Sequence, residues 1–236
     1  MLLDATGLDT FYGPSQVLHG CTIDVAEGEC LALLGRNGVG KSTLVHTLAG
    51  HIPLKAGTVH LDGADITSWA PEKRLAGGVT LVPQGHRVFR SLTVKENLEV
   101  SQRRGAAADA WTMADVLERF PILADRHHQP AGSLSGGQQQ MLAVGRAMLG
   151  NGRLVLMDEP SEGLDPKRVA LIGSIVAELK ARGTSILLVE QRVAFALKVA
   201  DRAAFMVRGE IVEVLPGEQV RAAPDLVTTH LGLVAS

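Results

Sequence analysis

The segment Gly35-Arg36-Asn37-Gly38-Val39-Gly40-Lys41-Ser42 satisfies the pattern G-x-x-x-x-G-K-[ST] at every fixed position. It follows an aliphatic run, 30–34, that reads as a buried strand, and it opens a helical pattern from 41 to about 49. That strand–loop–helix setting is what the pattern requires. The glycines let successive backbone N–H groups turn inward and cradle phosphate oxygens at the positive end of the helix. Lys41 is then placed to reach the terminal phosphates of a nucleotide, and Ser42 to ligate a magnesium ion. A glycine-rich turn capped by a lysine is the plain alternative, and eight matching positions in the right setting argue against it. Alone, the motif specifies a nucleotide and nothing finer.

Around this unit, short aliphatic runs alternate with longer helical patterns. Strands are expected at 58–61, 79–82, 154–157, 185–189 and 204–207, and helices at 169–181 and 194–200. The alternation predicts an α/β fold with a mostly parallel sheet covered on both faces. From about 85 to 150 the pattern changes to helix formers with few strand signals, including Gly105-Ala106-Ala107-Ala108. This stretch reads as an inserted helical subdomain, and 236 residues suit one domain, 1–236, carrying such an insert. Charge argues against one class of function: 23 Lys and Arg against 25 Asp and Glu give a net charge of −2, with no basic excess for nucleic acid. No apolar run reaches the roughly 18 residues needed to cross a bilayer. The first five residues lack the basic and apolar regions of a secretory signal, so a cytoplasmic chain is expected. Cys21 and Cys30 match no zinc spacing and read as buried thiols.

Two further segments carry chemistry. Leu154-Val155-Leu156-Met157-Asp158-Glu159 is an aliphatic strand ending in two carboxylates, where an open α/β sheet binds its ligands. Asp158 would hold the magnesium ion through water, and Glu159 would polarise an attacking water. Acidic residues at strand ends are also common turn formers, and it is the phosphate loop that tips the reading toward function. Leu134-Ser135-Gly136-Gly137-Gln138 makes a capping box, with Ser135 as N-cap and Gln138 three residues on. It heads a helix to 149 whose apolar face is Met141, Leu142, Val144 and Met148. Yet each glycine in that first turn costs up to about 1 kcal/mol against alanine, and capping does not need them. Close approach of an anion to the backbone does.

With this segment the chain resembles the ATP-binding cassette (ABC) ATPases over nearly its whole length. LSGGQ is the signature of that family, highly specific when joined to the phosphate loop and Asp158-Glu159. The resemblance implies a P-loop NTPase core with a mostly parallel sheet, an antiparallel β subdomain and the helical insert, binding ATP with Mg²⁺. It implies ATP contacts from Tyr12, whose ring would stack on adenine, and from Gly35, Arg36, Asn37, Gly38, Val39, Gly40, Lys41, Ser42 and Thr43. It assigns the metal to Ser42, Gln84 and Asp158, and the chemistry to Lys41, Glu159 and Gln191. Gln84 matches the glutamine between the subdomains that senses Mg²⁺ and the membrane partner. Ser161-Glu162-Gly163-Leu164-Asp165 resembles the loop that crosses the dimer, although Asp165 before Pro166 is also a good N-cap. In the family two cassettes sandwich two ATP molecules head to tail. Phosphates held by Lys41 of one chain thus meet Ser135, Gly136, Gly137 and Gln138 of the other.

Several details are similar to the second ATPase of branched-chain amino-acid importers: Val82-Pro83-Gln84-Gly85, the run 135–141, Leu188-Val189-Glu190-Gln191 and the ending His230-Leu231-Gly232. Urea and short-chain amide importers have closely related ATPases, and a soluble cassette ATPase without a membrane partner shares the same motifs. The importer reading implies a second ABC ATPase subunit, separate membrane permease subunits and, through them, a periplasmic or extracellular binding protein. It places the chain peripherally on the inner face of the membrane. One departure stands out: Gln191 occupies the position where most cassettes have a histidine on the γ-phosphate. None of the eight histidines is placed by sequence to replace it, and His127-His128 reads as solvated surface.

Overall fold

In the computed structural model, residues 1–85, 87–103 and 110–231 are described; Gly105-Ala106-Ala107-Ala108 and Gly232 lie outside the described residues. The chain runs β1 (Leu3–Tyr12), β2 (Ser15–Val25), β3 (Cys30–Leu34), α1 (Lys41–Leu48), β4 (Leu54–Leu61), β5 (Ala64–Asp65), α2 (Pro71–Ala76) and β6 (Val79–Val82). It continues through α3 (Val94–Glu99), α4 (Met113–Arg119), α5 (Pro121–Asp125), a 3-10 turn (Ala131–Ser133) and α6 (Gly136–Leu149). Then follow β7 (Leu154–Asp158), α7 (Pro166–Ala181), β8 (Ser185–Val189), α8 (Val193–Val199), β9 (Arg202–Val207), β10 (Glu210–Pro216), α9 (Gly217–Ala222) and α10 (Pro224–Leu231).

Six strands form the central sheet in the order β10-β9-β3-β8-β7-β6. All neighbours are parallel except β10, which returns antiparallel to β9. Arg208 and Gly209 turn that hairpin, both at positive φ, as a two-residue turn matched to strand twist requires. Successive side chains on a strand face opposite sides, and here they feed two separate cores. Ala32, Leu34, Val155, Met157, Ile186 and Leu188 pack with helices α6, α7 and α8. Leu31, Leu33, Leu154, Leu156, Leu187 and Val189 pack with α1 and with the antiparallel sheet β2-β1-β4-β5. Burial on both faces is why these strands are written as unbroken aliphatic runs.

Between β6 and β7 the described elements are the helices α3 to α6 and one 3-10 turn, and the bridge between Thr93 and Pro130 is the one β pairing there among the described residues. Val94, Leu98, Val116, Phe120 and Leu123 share their core with α6 and one face of the sheet. Strands β1, β2 and β10 were not picked out by the hydrophobic pattern. In β1 register shifts between Ala5 and Leu8 and between Leu8 and Thr10 interrupt the alternation, and polar Asp4 and Thr6 face solvent. Cys21 and Cys30 are free, buried thiols, each pushed up to about 12 by burial.

Candidate functional site

The strand order decides where the site lies. Strands β3, β8, β7 and β6 are successive parallel neighbours, so the segments leaving their C-terminal ends emerge side by side. These segments are the 35–40 loop after β3, Gln191 after β8, Glu159 after β7 and Gln84 after β6. Between them lies a cavity of about 390 Å³ whose wall includes Asn37, Lys41, Ser42, Gln84, Glu159 and Gln191.

The loop conformation depends on its glycines. Gly40, the N-cap of α1, has φ 113°, which L side chains rarely adopt. A Cβ on Gly35 would stand 2.8 Å from the Met206 carbonyl oxygen. Lys41, only 5% exposed, folds back so that Nζ donates to the carbonyls of Gly35 at 2.8 Å and Arg36 at 3.0 Å. Burial lowers its pKa, an effect opposed by the carboxylates of Glu159 and Asp158. A cation held only by neutral carbonyls is poised to exchange them for anionic oxygens.

Asp158 ends β7 fully buried. Its Oδ1 accepts from the Ser42 hydroxyl at 3.1 Å, while Oδ2 is buried with no hydrogen-bond partner. Burial raises its pKa. An orphaned carboxylate oxygen beside a serine hydroxyl fits a hard divalent cation. Among the described residues no group of three or more His, Cys, Asp and Glu could hold a metal by itself. A cation here would therefore complete its shell from phosphate and water, the usual habit of Mg²⁺.

Glu159 follows at φ 51°, turning the chain sharply out of the strand. Its Oε2 accepts from Gln191 Nε2 at 2.6 Å and from Gln84 Nε2 at 3.1 Å. Gln84 Nε2 donates as well to Glu162 Oε2 at 3.2 Å. Glu162 and Glu190 carry interactions that sequence reasoning missed. Buried Glu190 accepts the N–H groups of Ser161 at 3.0 Å, Gln191 at 3.2 Å and Arg192 at 3.3 Å, and burial raises its pKa. The only sequence signal was its place directly after the aliphatic run of β8.

Other residues singled out from sequence lie apart from this cavity. Tyr12 closes β1 and is 53% exposed. Ser135 and Gly136 are exposed at the head of α6, and none of Ser135, Gly136, Gly137 and Gln138 lines the cavity. Gln138 Oε1 accepts the Ser135 N–H at 2.9 Å, one half of the capping box. Gly137 also has a packing role: a Cβ there would stand 3.2 Å from Leu164 Cδ2. Asp165 caps α7, accepting the Arg168 N–H at 3.0 Å, so the N-cap reading of that loop is realised. His127 departs from the solvated reading. It is half-buried with Nε2 unpartnered, and burial lowers its pKa, whereas His128 is exposed.

The family model described as ABC transporter matches residues 18–162. The high-affinity branched-chain amino acid transport ATP-binding protein BraG of Pseudomonas aeruginosa is 39% identical over 232 residues, covering 98% of this chain and all of that one. The probable branched-chain amino acid transport ATP-binding protein LivF of Archaeoglobus fulgidus is 34% identical over 212 residues, 89% of this chain and 90% of that one. A crystal structure of a nucleotide-free ATP-binding cassette from an ABC transporter superposes with TM-score 0.79 at 28% identity, covering 95% of each chain. No helix among the described residues is long and apolar enough to cross a membrane.

Proposed function

The chain belongs to the ABC transporter family of ATP-binding proteins, and from that premise we propose that it energises the import of branched-chain amino acids through a separate membrane permease. The observation that carries the substrate is the end-to-end likeness to a branched-chain amino acid transport ATPase, 39% identical over 98% of this chain. The chain is an ATPase. Lys41 leaves the carbonyls of Gly35 and Arg36 for the β- and γ-phosphates. Ser42, Asp158 and Gln84 would hold Mg²⁺, which would supply charge neutralisation on the phosphate oxygens. Glu159 accepts the proton of the attacking water, with Gln191 holding its Oε2. Tyr12 stacks on adenine, and residues 35–43 wrap the phosphates.

The working unit is a head-to-tail pair of cassettes, each site completed by Ser135, Gly136, Gly137 and Gln138 of the opposite chain. The exposure of Ser135 and Gly136, outside their own chain's cavity, supports this. We read the chain as one ATP-binding domain whose helical part, about 85–150, is inserted in the ATPase core. It sits peripherally on the inner face of the membrane with permease subunits, and acts indirectly with a binding protein outside. The test is uptake of labelled leucine, isoleucine, valine and urea by cells lacking this chain. Loss of the three amino acids alone, restored by the wild-type chain and not by Lys41→Ala, supports the reading. Loss of urea uptake alone overturns it.

A further inference from the structure

Gln84 Nε2 divides its two N–H groups between Glu159 Oε2 at 3.1 Å and Glu162 Oε2 at 3.2 Å. A carboxylate accepts hydrogen bonds and an amide oxygen cannot donate them. The opposite orientation of the amide would set its oxygen against two carboxylates, so Nε2 must face them. The amide is planar, and its carbonyl oxygen Oε1 is therefore turned away from both. That oxygen is the atom of Gln84 able to bind a cation.

The two carboxylates are not equivalent anchors. Glu159 Oε2 already accepts the shorter bond from Gln191, at 2.6 Å, and in the reading above Glu159 takes up a proton during turnover. A group that changes charge cannot hold a neighbour constant through the reaction. Glu162 is exposed, lies three residues along the loop towards α7, and has no such task. Its charge is also felt at Asp158, whose pKa it helps to raise, so an effect of charge must be separated from an effect of orientation.

We propose that Glu162 is a positioning residue that fixes the Gln84 amide with its carbonyl oxygen presented to the metal–nucleotide site. The inference rests on the ATP-binding reading above. Losing a hydrogen bond that orients a metal ligand weakens metal affinity by about 10–100-fold.

The experiment is Mn²⁺ binding to the full chain saturated with AMP-PNP, read by electron paramagnetic resonance. Glu162→Ala should weaken Mn²⁺ binding about tenfold or more. Glu162→Gln lacks the charge but keeps an oxygen that accepts the Gln84 N–H, and should stay within about threefold of wild type. In a Gln84→Ala background, Glu162→Ala should have no further effect. Equal weakening by Glu162→Ala and Glu162→Gln, or undiminished binding by both, overturns the proposal. Failure of the wild-type chain to bind Mn²⁺ with AMP-PNP overturns the ATP-site reading itself, and this proposal with it.

Discussion

Gln191 Nε2 lies 2.6 Å from Glu159 Oε2 and donates to it, joining the second residue beyond β8 to the first beyond β7. The bond gives the neutral amide a task on the base itself. Gln191→Ala should lower hydrolysis in the assembled transporter by about tenfold, the equivalent of one charge-assisted bond of about 1.5 kcal/mol. Nucleotide affinity of the isolated chain should be unchanged. A parallel loss of affinity would show that Gln191 serves binding instead.

If the partner cassette carries a histidine at the corresponding position, the two ATP sites should be unequal, because a neutral amide cannot supply the charge available to histidine. Ser135→Arg in this chain, which blocks the site built on the partner's phosphate loop, should then reduce hydrolysis more than Glu159→Gln in this chain. Steady-state rates of both variants in the assembled transporter decide it, and the reverse order refutes the asymmetry.

Lys41→Ala should abolish productive ATP binding, since a neutral methyl group cannot replace the ammonium that the loop carbonyls now hold. Titration with a fluorescent ATP analogue measures this directly; wild-type affinity in the variant would remove Lys41 from the site.

Glu159→Gln should keep ATP binding while slowing hydrolysis by about 10²–10⁴-fold, because an amide is a poor base. With partner and ATP present, size-exclusion chromatography should then show a stable dimer of cassettes. Monomers alone under those conditions would count against the head-to-tail unit.

Asp158 gives a pH signature. Its pKa is raised by burial above the ordinary 3.8, so in the interval above 3.8 the folded chain holds a proton that the unfolded chain has lost. Stability contributed by this group is therefore lost as pH rises through that interval. Asp158→Asn should melt at a higher temperature than wild type near about pH 8, with the difference shrinking towards about pH 4. A constant difference across that range would mean that Asp158 is not penalised by burial.

Gly137→Ala separates fold from assembly. Its methyl group would meet side-chain atoms, Leu164 Cδ2 at 3.2 Å and Arg168 Cδ at 3.5 Å, which can shift. Stability should change by less than about 1 kcal/mol, and ATP affinity of the isolated chain should hold. Hydrolysis in the assembled transporter should fall. Unfolding of the variant would make Gly137 a packing residue first.

Some of this protein could be read from residues in order. The phosphate loop and the capping box at Ser135 depend on hydrogen bonds between near neighbours, so their spacing is written in the chain. The parallel strands were legible for a related reason: burial on both faces leaves an unbroken aliphatic run. Strands β1, β2 and β10 were not, because register shifts and half-exposed positions break the period on which such a reading relies. Composition predicted a helical stretch over about 85–150, but only packing put Phe120 and Leu123 into the same core as β7 and β8.

At the site, sequence by itself determined which groups carry charge and which can turn a phosphate-binding backbone. Tertiary structure decided which of them touch. Gln84, Glu159 and Gln191 are separated by 75 and 32 residues, yet two amides share one carboxylate oxygen. They meet because β6, β7 and β8 are hydrogen-bonded neighbours running the same way, each ending beneath the cavity. That adjacency comes from long-range pairing of aliphatic strands and not from any local pattern around the three residues, and Glu162 enters the same network through the turn that Glu159 makes at positive φ.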